Sequence, residues 1–260
     1  MKITHTAGIA CAAALLVTGA SAWNANDRPI SSGGSSRGPS AGTIKGKVEF
    51  EGEKPESKPL QITAEASKGC CPAGVEMDMT DESLLIDEKN GLANVVVTIT
   101  VEGQKPAVPE KPVELDQKMC KFEPHVLVVP VGGKMEFLNS DEVSHNIHTY
   151  PLKSTGINQM VSAKGRLPQT LDKAETIKVA CDIHTWMSSY VVVTEASAWD
   201  VTAADGTFEI SGVPPGKYTL ELWHEKLGKG KQEITVAEDG SADAGVIKMG
   251  LEKKTDRRRK

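Results

Sequence analysis

The feature that most constrains this fold is a series of short, β-branched segments separated by glycine and proline turns. Examples are Val95–Ile99, Val126–Val131 and Ser189–Thr194, in a chain of 260 residues with 24 glycines and 14 prolines. β-Branched side chains favour the pleated, half-buried surface of a sheet, whereas glycine and proline favour turns. Because the sequence shows no long amphipathic helical pattern, it predicts an all-β protein.

Further strands are predicted wherever apolar and polar residues alternate. The predicted segments are 42–50, Leu84–Asp87, Leu92–Val101, 134–139, 175–181, 207–210, 217–222, 232–236 and 245–249. The stretch from Tyr150 to Asp172 lacks such alternation, and we expect it to form a long polar excursion.

The two ends of the chain carry signals of processing and flexibility. Residues 1–22 contain the apolar run Ala7–Val17 and end in Ala20-Ser21-Ala22, so they predict a signal peptide that is cleaved after Ala22. Residues 23–42, rich in Ser, Gly and Asn, predict a flexible linker. Residues 251–260 predict a disordered basic tail, with contact to an acidic partner or a membrane surface as the alternative.

Charge and hydropathy exclude several classes of protein. The net charge is −5 and no basic stripe runs along a folded segment, so we expect no nucleic-acid partner. No later segment is apolar enough to cross a membrane, so we expect no transmembrane segment in the mature chain. The mature protein is therefore expected to be a soluble monomer that is exported, with the periplasm as its location.

The candidate site is a C-x2-H-x2-M loop, Cys181 to Met187, between two predicted strands. A further histidine, His145, follows the strand predicted at 134–139. A thiolate and two imidazoles in a near-trigonal plane, with a weak axial thioether, make a type 1 copper site. The sequence therefore predicts one mononuclear copper ion bound by His145, Cys181, His184 and Met187.

Each of these residue types also has a purely structural interpretation. Cys181 could form a disulfide with Cys120, and methionine is usually a core residue, so Met187 could simply pack. We interpret His125, His148 and His224 as structural, loop or surface residues. A second metal site that uses one of them stays an open alternative.

Residues 113–195 resemble a cupredoxin, most closely the amicyanins and similar short-loop plastocyanin-like proteins. The matching features are Phe122-x-Pro124, Val131-Gly132-Gly133, Phe137-x-Asn139-x-Asp141, His145-Asn146-Ile147-His148 and the C-x2-H-x2-M loop. The resemblance implies a Greek-key β-sandwich with the four copper ligands named above. It also implies that Asn146 joins the two ligand loops and that His184 is partly exposed, so that electrons leave through it. Trp186 departs from the amicyanin pattern, and we expect it to shield the copper.

The flanking segments resemble another family, the carboxypeptidase regulatory-like β-sandwich. The matching pieces are Gly42-Thr43-Ile44-Lys45-Gly46-Lys47-Val48, Asp205-Gly206-Thr207-Phe208 and Val213-Pro214-Pro215-Gly216-Lys217-Tyr218. We therefore expect a cupredoxin-like Greek-key sandwich that is packed with or inserted into a second small β-sandwich. The expected domains are 43–112 for the first part of the second sandwich, 113–195 for the copper domain and 196–250 for the remainder.

The remaining cysteines suggest one structural disulfide, because an exported compartment permits disulfides. With Cys181 assigned to the metal, we expect Cys120 to pair with Cys70 or Cys71, since adjacent cysteines seldom bridge each other. One thiol of these three is left over, and the pairing stays open.

The expected function is the transfer of single electrons between redox proteins such as a cytochrome, a dehydrogenase or an oxidase. Copper oxidases and nitrite reductases need a second copper ion and typically carry His-x-His pairs, which are absent among the six histidines of this chain. We therefore expect that the protein is not an enzyme. The alternatives are a periplasmic copper carrier and a structural β-sandwich binding module without electron transfer.

Overall fold

The computed structural model describes residues 41–251, and these residues form strands, turns and loops without a helix among them. The all-β prediction is therefore confirmed. Within this range there is also no helix that could cross a membrane. The predicted signal peptide and nearly all of the predicted linker and basic tail lie outside the described residues.

Sixteen strands occur within residues 41–251. In chain order they are β1 (Gly42–Glu51), β2 (Val96–Ile99), β3 (Val113–Lys118), β4 (Lys121–Glu123), β5 (Val126–Pro130), β6 (Gly133–Asn139), β7 (His145–Tyr150), β8 (Asn158–Val161), β9 (Arg166–Leu171), β10 (Glu175–Ala180), β11 (Ser188–Thr194), β12 (Ala198–Val201), β13 (Thr207–Val213), β14 (Gly216–His224), β15 (Gly228–Val236) and β16 (Ser241–Gly250).

These strands form two β-sandwiches, one inserted into the other. The flanking sandwich has sheets of order β13-β1-β16 and β12-β2-β14-β15, and the inserted sandwich has sheets of order β5-β11-β10-β7-β8 and β4-β3-β6-β9. Because β3–β11 lie between β2 and β12 in the chain, the inserted sandwich interrupts the flanking one. The expected combination of a cupredoxin-like sandwich with a second small sandwich is confirmed at this level.

Each sandwich encloses its own apolar core, and a third cluster joins the two. The flanking core includes Ile44, Leu92, Val97, Phe208 and Leu222, and the inserted core includes Leu115, Phe137, Ile147, Val179 and Val191. Val96, Val126, Val128 and Val192 form the third cluster. They alternate with core residues along β2, β5 and β11, so the central parts of these strands are buried on both faces and carry consecutive apolar residues.

A turn at Asp205-Gly206 connects the two sheets of the flanking sandwich. Gly206 has a φ of +83°, and a Cβ atom at this position would lie 2.2 Å from the carbonyl oxygen of Val48. Only glycine allows both this left-handed conformation and this close approach of the two backbones.

One of the predicted strands is absent, and one segment predicted as a polar excursion contains strands. Leu84–Asp87 is not a strand, because it contributes only an isolated bridge from Ile86 to Leu92. The side chain of Asp87 accepts hydrogen bonds from the backbone N–H groups of Lys89 and Gly91, which favours a turn there.

The predicted polar excursion from Tyr150 to Asp172 contains β8 and β9. β8 is mostly exposed and β9 alternates only between exposed and half-buried positions, so the hydrophobic pattern that marks a strand is missing there. β8 pairs with β7, with His145 opposite Val161 and Asn146 opposite Met160.

Candidate metal centre

Three of the four predicted ligands converge at one end of the inserted sandwich. β7 and β10 are antiparallel neighbours, so the beginning of β7 lies beside the end of β10. His145 is the first residue of β7, Cys181 follows β10 directly, and His184 lies in the loop that leads to β11. All three side chains are buried, with exposed fractions of 0% for His145, 2% for Cys181 and 7% for His184.

The donor atoms of these three residues are close enough to share one metal ion. The Nδ1 atoms of His145 and His184 are 2.9 Å apart. The Sγ atom of Cys181 lies 4.0 Å from Nδ1 of His145 and 3.8 Å from Nδ1 of His184. Metal–nitrogen bonds of about 2.0 Å and metal–thiolate bonds of about 2.3 Å can reach all three donors from one point in their plane. One thiolate and two imidazoles are donors that suit copper or zinc.

Met187 lies in the same compact loop. Its backbone N–H donates to the carbonyl oxygen of His184 at 2.8 Å, and its carbonyl oxygen accepts from the N–H of Cys181 at 3.3 Å. The residue is 1% exposed and belongs to the same apolar cluster as Cys181. These bonds close the loop, so that all three of its predicted ligands lie within one tight turn.

Asp141 orients His145 from the side opposite to Cys181. Nε2 of His145 donates to Oδ2 of Asp141 at 2.8 Å, so the neutral form of this imidazole presents the lone pair of Nδ1 to a metal. The carboxylate of Asp141 also accepts from the backbone N–H groups of Met119 and Cys120, at 2.5 and 2.8 Å. The backbone of the hairpin between β3 and β4 therefore fixes the carboxylate of Asp141, and this carboxylate in turn fixes the imidazole of His145.

The electrostatics of the site favour the thiolate form of Cys181. Burial raises the pKa of this thiol, but hydrogen bonds from His145, His184 and the backbone of Asn146 outweigh it and hold the pKa at about 5. Burial lowers the pKa of His145, while its hydrogen bonds to Asp141 and Cys181 raise it to about 9. The thiolate is the form of cysteine that binds a metal, so Cys181 needs no further deprotonation at neutral pH, whereas a metal ion must displace the second ring proton that the raised pKa keeps on His145.

Asn146 joins the two ligand segments, as the resemblance implied. Its Oδ1 atom accepts a hydrogen bond from the backbone N–H of Asp182 at 2.7 Å, and its Nδ2 atom donates to the Asp182 carboxylate at 3.0 Å. The same carboxylate contacts Nδ1 of His148 at 2.9 Å and accepts from Nδ2 of Asn158. His148 therefore lies in a polar network beside the ligand loop.

The disulfide of the described chain pairs Cys70 with Cys120 and leaves Cys71 and Cys181 as free thiols. The structure thus selects one of the two pairings that the sequence left open and excludes a bond between Cys181 and Cys120. The two disulfide sulfurs and a ring nitrogen of His184 lie within 4.8 Å of one another.

The expectation that His184 is partly exposed was wrong. The Cys70–Cys120 disulfide lies against its ring, and the ring of Trp186 lies 5.1 Å away, centroid to centroid. The indole N–H of Trp186 donates to the carbonyl oxygen of Cys120 at 3.0 Å, which holds this ring in place. The indole therefore covers one side of His184, and shielding of a copper ion by Trp186 stays a prediction.

The other histidines have structural surroundings. His125 is buried and its Nε2 atom hydrogen-bonds to Glu225, which connects the inserted sandwich to the flanking one. His224 is buried in the flanking sandwich, and its Nδ1 atom accepts from the N–H of Lys226. Among the described residues, none of the clusters of three potential metal-binding side chains includes His125, His148 or His224.

Comparisons with known proteins find similarity over part of this chain. No family model matches the chain. Rhamnogalacturonate lyase A of Emericella nidulans is 31% identical over 121 residues, and the match spans 45% of this chain but 22% of the lyase.

Similar solved structures include a copper-containing nitrite reductase from Thermus scotoductus, with 23% identity, a TM-score of 0.32, and coverage of 38% of this chain and 25% of that chain. A purple cupredoxin from Nitrosopumilus maritimus has 21% identity, a TM-score of 0.28, and coverage of 32% and 99%. A copper(I) form of an amicyanin variant has 25% identity, a TM-score of 0.31, and coverage of 38% and 98%. The structural neighbours are thus cupredoxins, but TM-scores this low carry no weight for the function of the metal centre.

Two parts of the centre were missed at the level of sequence. Asp141 was recognised as part of a pattern, but its contact with His145 was not predicted. A carboxylate four residues before a candidate ligand histidine is the signal that could have suggested it. No local signal indicated that the segment around Cys70 lies over His184, because the disulfide joins residues that are 50 positions apart.

Proposed function

We propose that this chain is an exported type 1 copper protein that passes single electrons between redox proteins. The copper ligands in this proposal are His145, Cys181, His184 and Met187. The observation that carries it is the buried convergence of the Cys181 sulfur with the two Nδ1 atoms, at separations of 2.9 to 4.0 Å. Bound copper would supply a one-electron couple between two oxidation states that both accept this donor set.

The chain supports this function by holding its donors still. Asp141 fixes the tautomer and the orientation of His145, and Asn146 clamps the backbone of Asp182 next to Cys181. Since these hydrogen bonds fix both ligand segments, we expect the donor atoms to move little when the charge of the site changes. Burial of the donors excludes water and disfavours rapid exchange of the metal, which favours an electron carrier over a copper chaperone.

The remaining parts of the proposal concern the setting of the site. We assign residues 113–195 to a copper domain and residues 43–112 and 196–250 to a carboxypeptidase regulatory-like module around it. Residues 1–22 would direct export to the periplasm. The mass of the mature chain from a periplasmic fraction should begin after Ala22, and gel filtration should show a monomer. A mature chain that starts at residue 1 would contradict the export signal.

The visible spectrum of the copper(II) protein tests the central assignment. We expect an intense thiolate-to-copper charge-transfer band when residues 23–260 receive copper(II). Cys181→Ser should abolish this band, because it removes the thiolate. Cys71→Ser should retain it, because Cys71 is a free thiol outside the donor set. Met187→Leu should also retain a coloured site, because an axial thioether binds only weakly.

A colourless wild-type protein, or loss of the band in Cys71→Ser, would overturn the ligand assignment. His125→Gln provides a second control, since His125 contacts Glu225 and lies outside the donor cluster. Loss of the band in a folded His125→Gln protein would likewise contradict the assignment.

A further inference from the structure

The segment from Leu60 to Glu82, here called the cap segment, lies against the metal-binding end of the inserted sandwich. It precedes the copper domain in the chain and contains turns but no regular strand. The N–H of Leu60 donates to the carbonyl oxygen of Met79 at 2.8 Å, so the two arms of the segment are close together.

Contacts on three sides hold the cap segment over the site. Gly69 lies so close to the loop before His145 that a Cβ atom would be 2.8 Å from Val143. Nζ of Lys121 binds the carboxylates of Asp78 at 2.8 Å and Glu82 at 3.1 Å. The side chains of Cys71 and Met77 pack against the core of the inserted sandwich.

The covalent contact is the Cys70–Cys120 disulfide, which reaches the ligands themselves. Its sulfurs lie within 4.8 Å of a ring nitrogen of His184, and Sγ of Cys120 lies 4.0 Å from Nε2 of His145. Both cysteines are buried, at 2% and 0% exposed. The disulfide therefore fills the position beside His184 that solvent or a redox partner would otherwise occupy.

We propose that the cap segment is a disulfide-held cover on the His184 edge of the metal centre, and that a dithiol, which reaches the buried Cys70–Cys120 bond during local opening of this segment, reduces it and so exposes this edge. The disulfide would take up two electrons and two protons to give two thiols, while the dithiol becomes a disulfide. Without the bond, the cap segment is held by the Lys121 ion pairs and a few packed side chains, and irregular segments of this kind open locally at low free energy. The effect of this opening on electron exchange through His184 rests on the proposed function. The covering of His184 by the cap segment does not depend on that function.

Chemical modification of the metal-free protein tests the cover without copper. Diethylpyrocarbonate reacts with accessible histidines, and peptide mass mapping gives the rate at each one. We expect His184 to react about tenfold faster or more in Cys70→Ala/Cys120→Ala than in wild type, because removal of the bond permits local opening. Cys71→Ala, which alters the same segment but keeps the disulfide, should leave the rate at the wild-type value.

Two other histidines calibrate this experiment. His148, whose side chain is 29% exposed, should react readily in every form. His145, held by Asp141 inside the core, should stay protected if the sandwich remains folded. Hydrogen exchange of wild-type protein reduced with a phosphine gives a second measurement, in which residues 60–82 should lose protection while β6 and β10 keep theirs.

The outcomes separate this inference from the copper assignment. A fast reaction of His184 in the oxidised wild type, or equal rates with and without the disulfide in a folded sandwich, would overturn the cover. Unchanged exchange of residues 60–82 after reduction would overturn it too. A colourless protein with the expected change at His184 would reject the copper site and retain the cover.

Discussion

His224 should make the stability of this protein depend on pH, because the fold buries it as a neutral imidazole. Its residue is 1% exposed, and its Nε2 atom has no hydrogen-bond partner in the described part of the chain. Burial lowers the pKa of His224 to about 4; the charge of Glu225 opposes this shift, and His125 and Lys226 add to it. A proton on His224 is therefore much more costly in the folded state than in the unfolded state.

The size and direction of the effect follow from the two pKa values. An unfolded histidine has a pKa of about 6.5, so between about pH 6.5 and pH 4 the unfolded state binds more protons than the folded state. Stability is fully present above this window and is lost as the pH falls through it. At about pH 4.5, some two units below the unfolded pKa, His224 should have removed about 3 kcal/mol from the free energy of unfolding.

The variant His224→Asn isolates this contribution. The Asn side-chain oxygen can still accept the hydrogen bond from Lys226, but the side chain does not titrate. Urea unfolding of the metal-free protein at about pH 7.5 and about pH 4.5, followed by tryptophan fluorescence, gives the loss of stability on acidification. Wild type should lose about 3 kcal/mol more than His224→Asn. Equal losses in the two proteins would refute the argument that His224 is buried in its neutral form.

Two further substitutions test the supports of the site and of the fold. Asp141→Asn should lower copper affinity about 10- to 100-fold in a chelator competition, because it weakens the anchor of a ligand histidine; Glu142→Gln, at an exposed neighbouring carboxylate, should leave the affinity unchanged. Gly206→Ala should cost about 2 kcal/mol more in urea unfolding than Gly212→Ala, because both glycines have positive φ but only the Cβ at position 206 would clash with backbone. Equal costs would show that the close approach at Gly206 relaxes freely.

Local patterns were sufficient for the fold class and for the compactness of the loop from Cys181 to Met187. The β-branched runs predict strands because one side chain in two, or every side chain in a doubly buried strand, must face a core. The Cys181–Met187 spacing predicts one compact loop with three ligands, because so few residues cannot separate them. The weakness of such patterns is visible in β8, whose exposed residues carry no hydrophobic period.

The sequence by itself determined that this is an all-β protein and that Cys181, His184 and Met187 share one loop, since both depend on residues near each other in the chain. Tertiary structure alone decided which cysteine pairs with Cys120, which carboxylate orients His145, and that His184 is buried. The reason is physical: these contacts join segments that are distant in sequence, and their geometry depends on how the sheets pack. No local period or spacing encodes the position of residues 60–82 over the candidate metal centre.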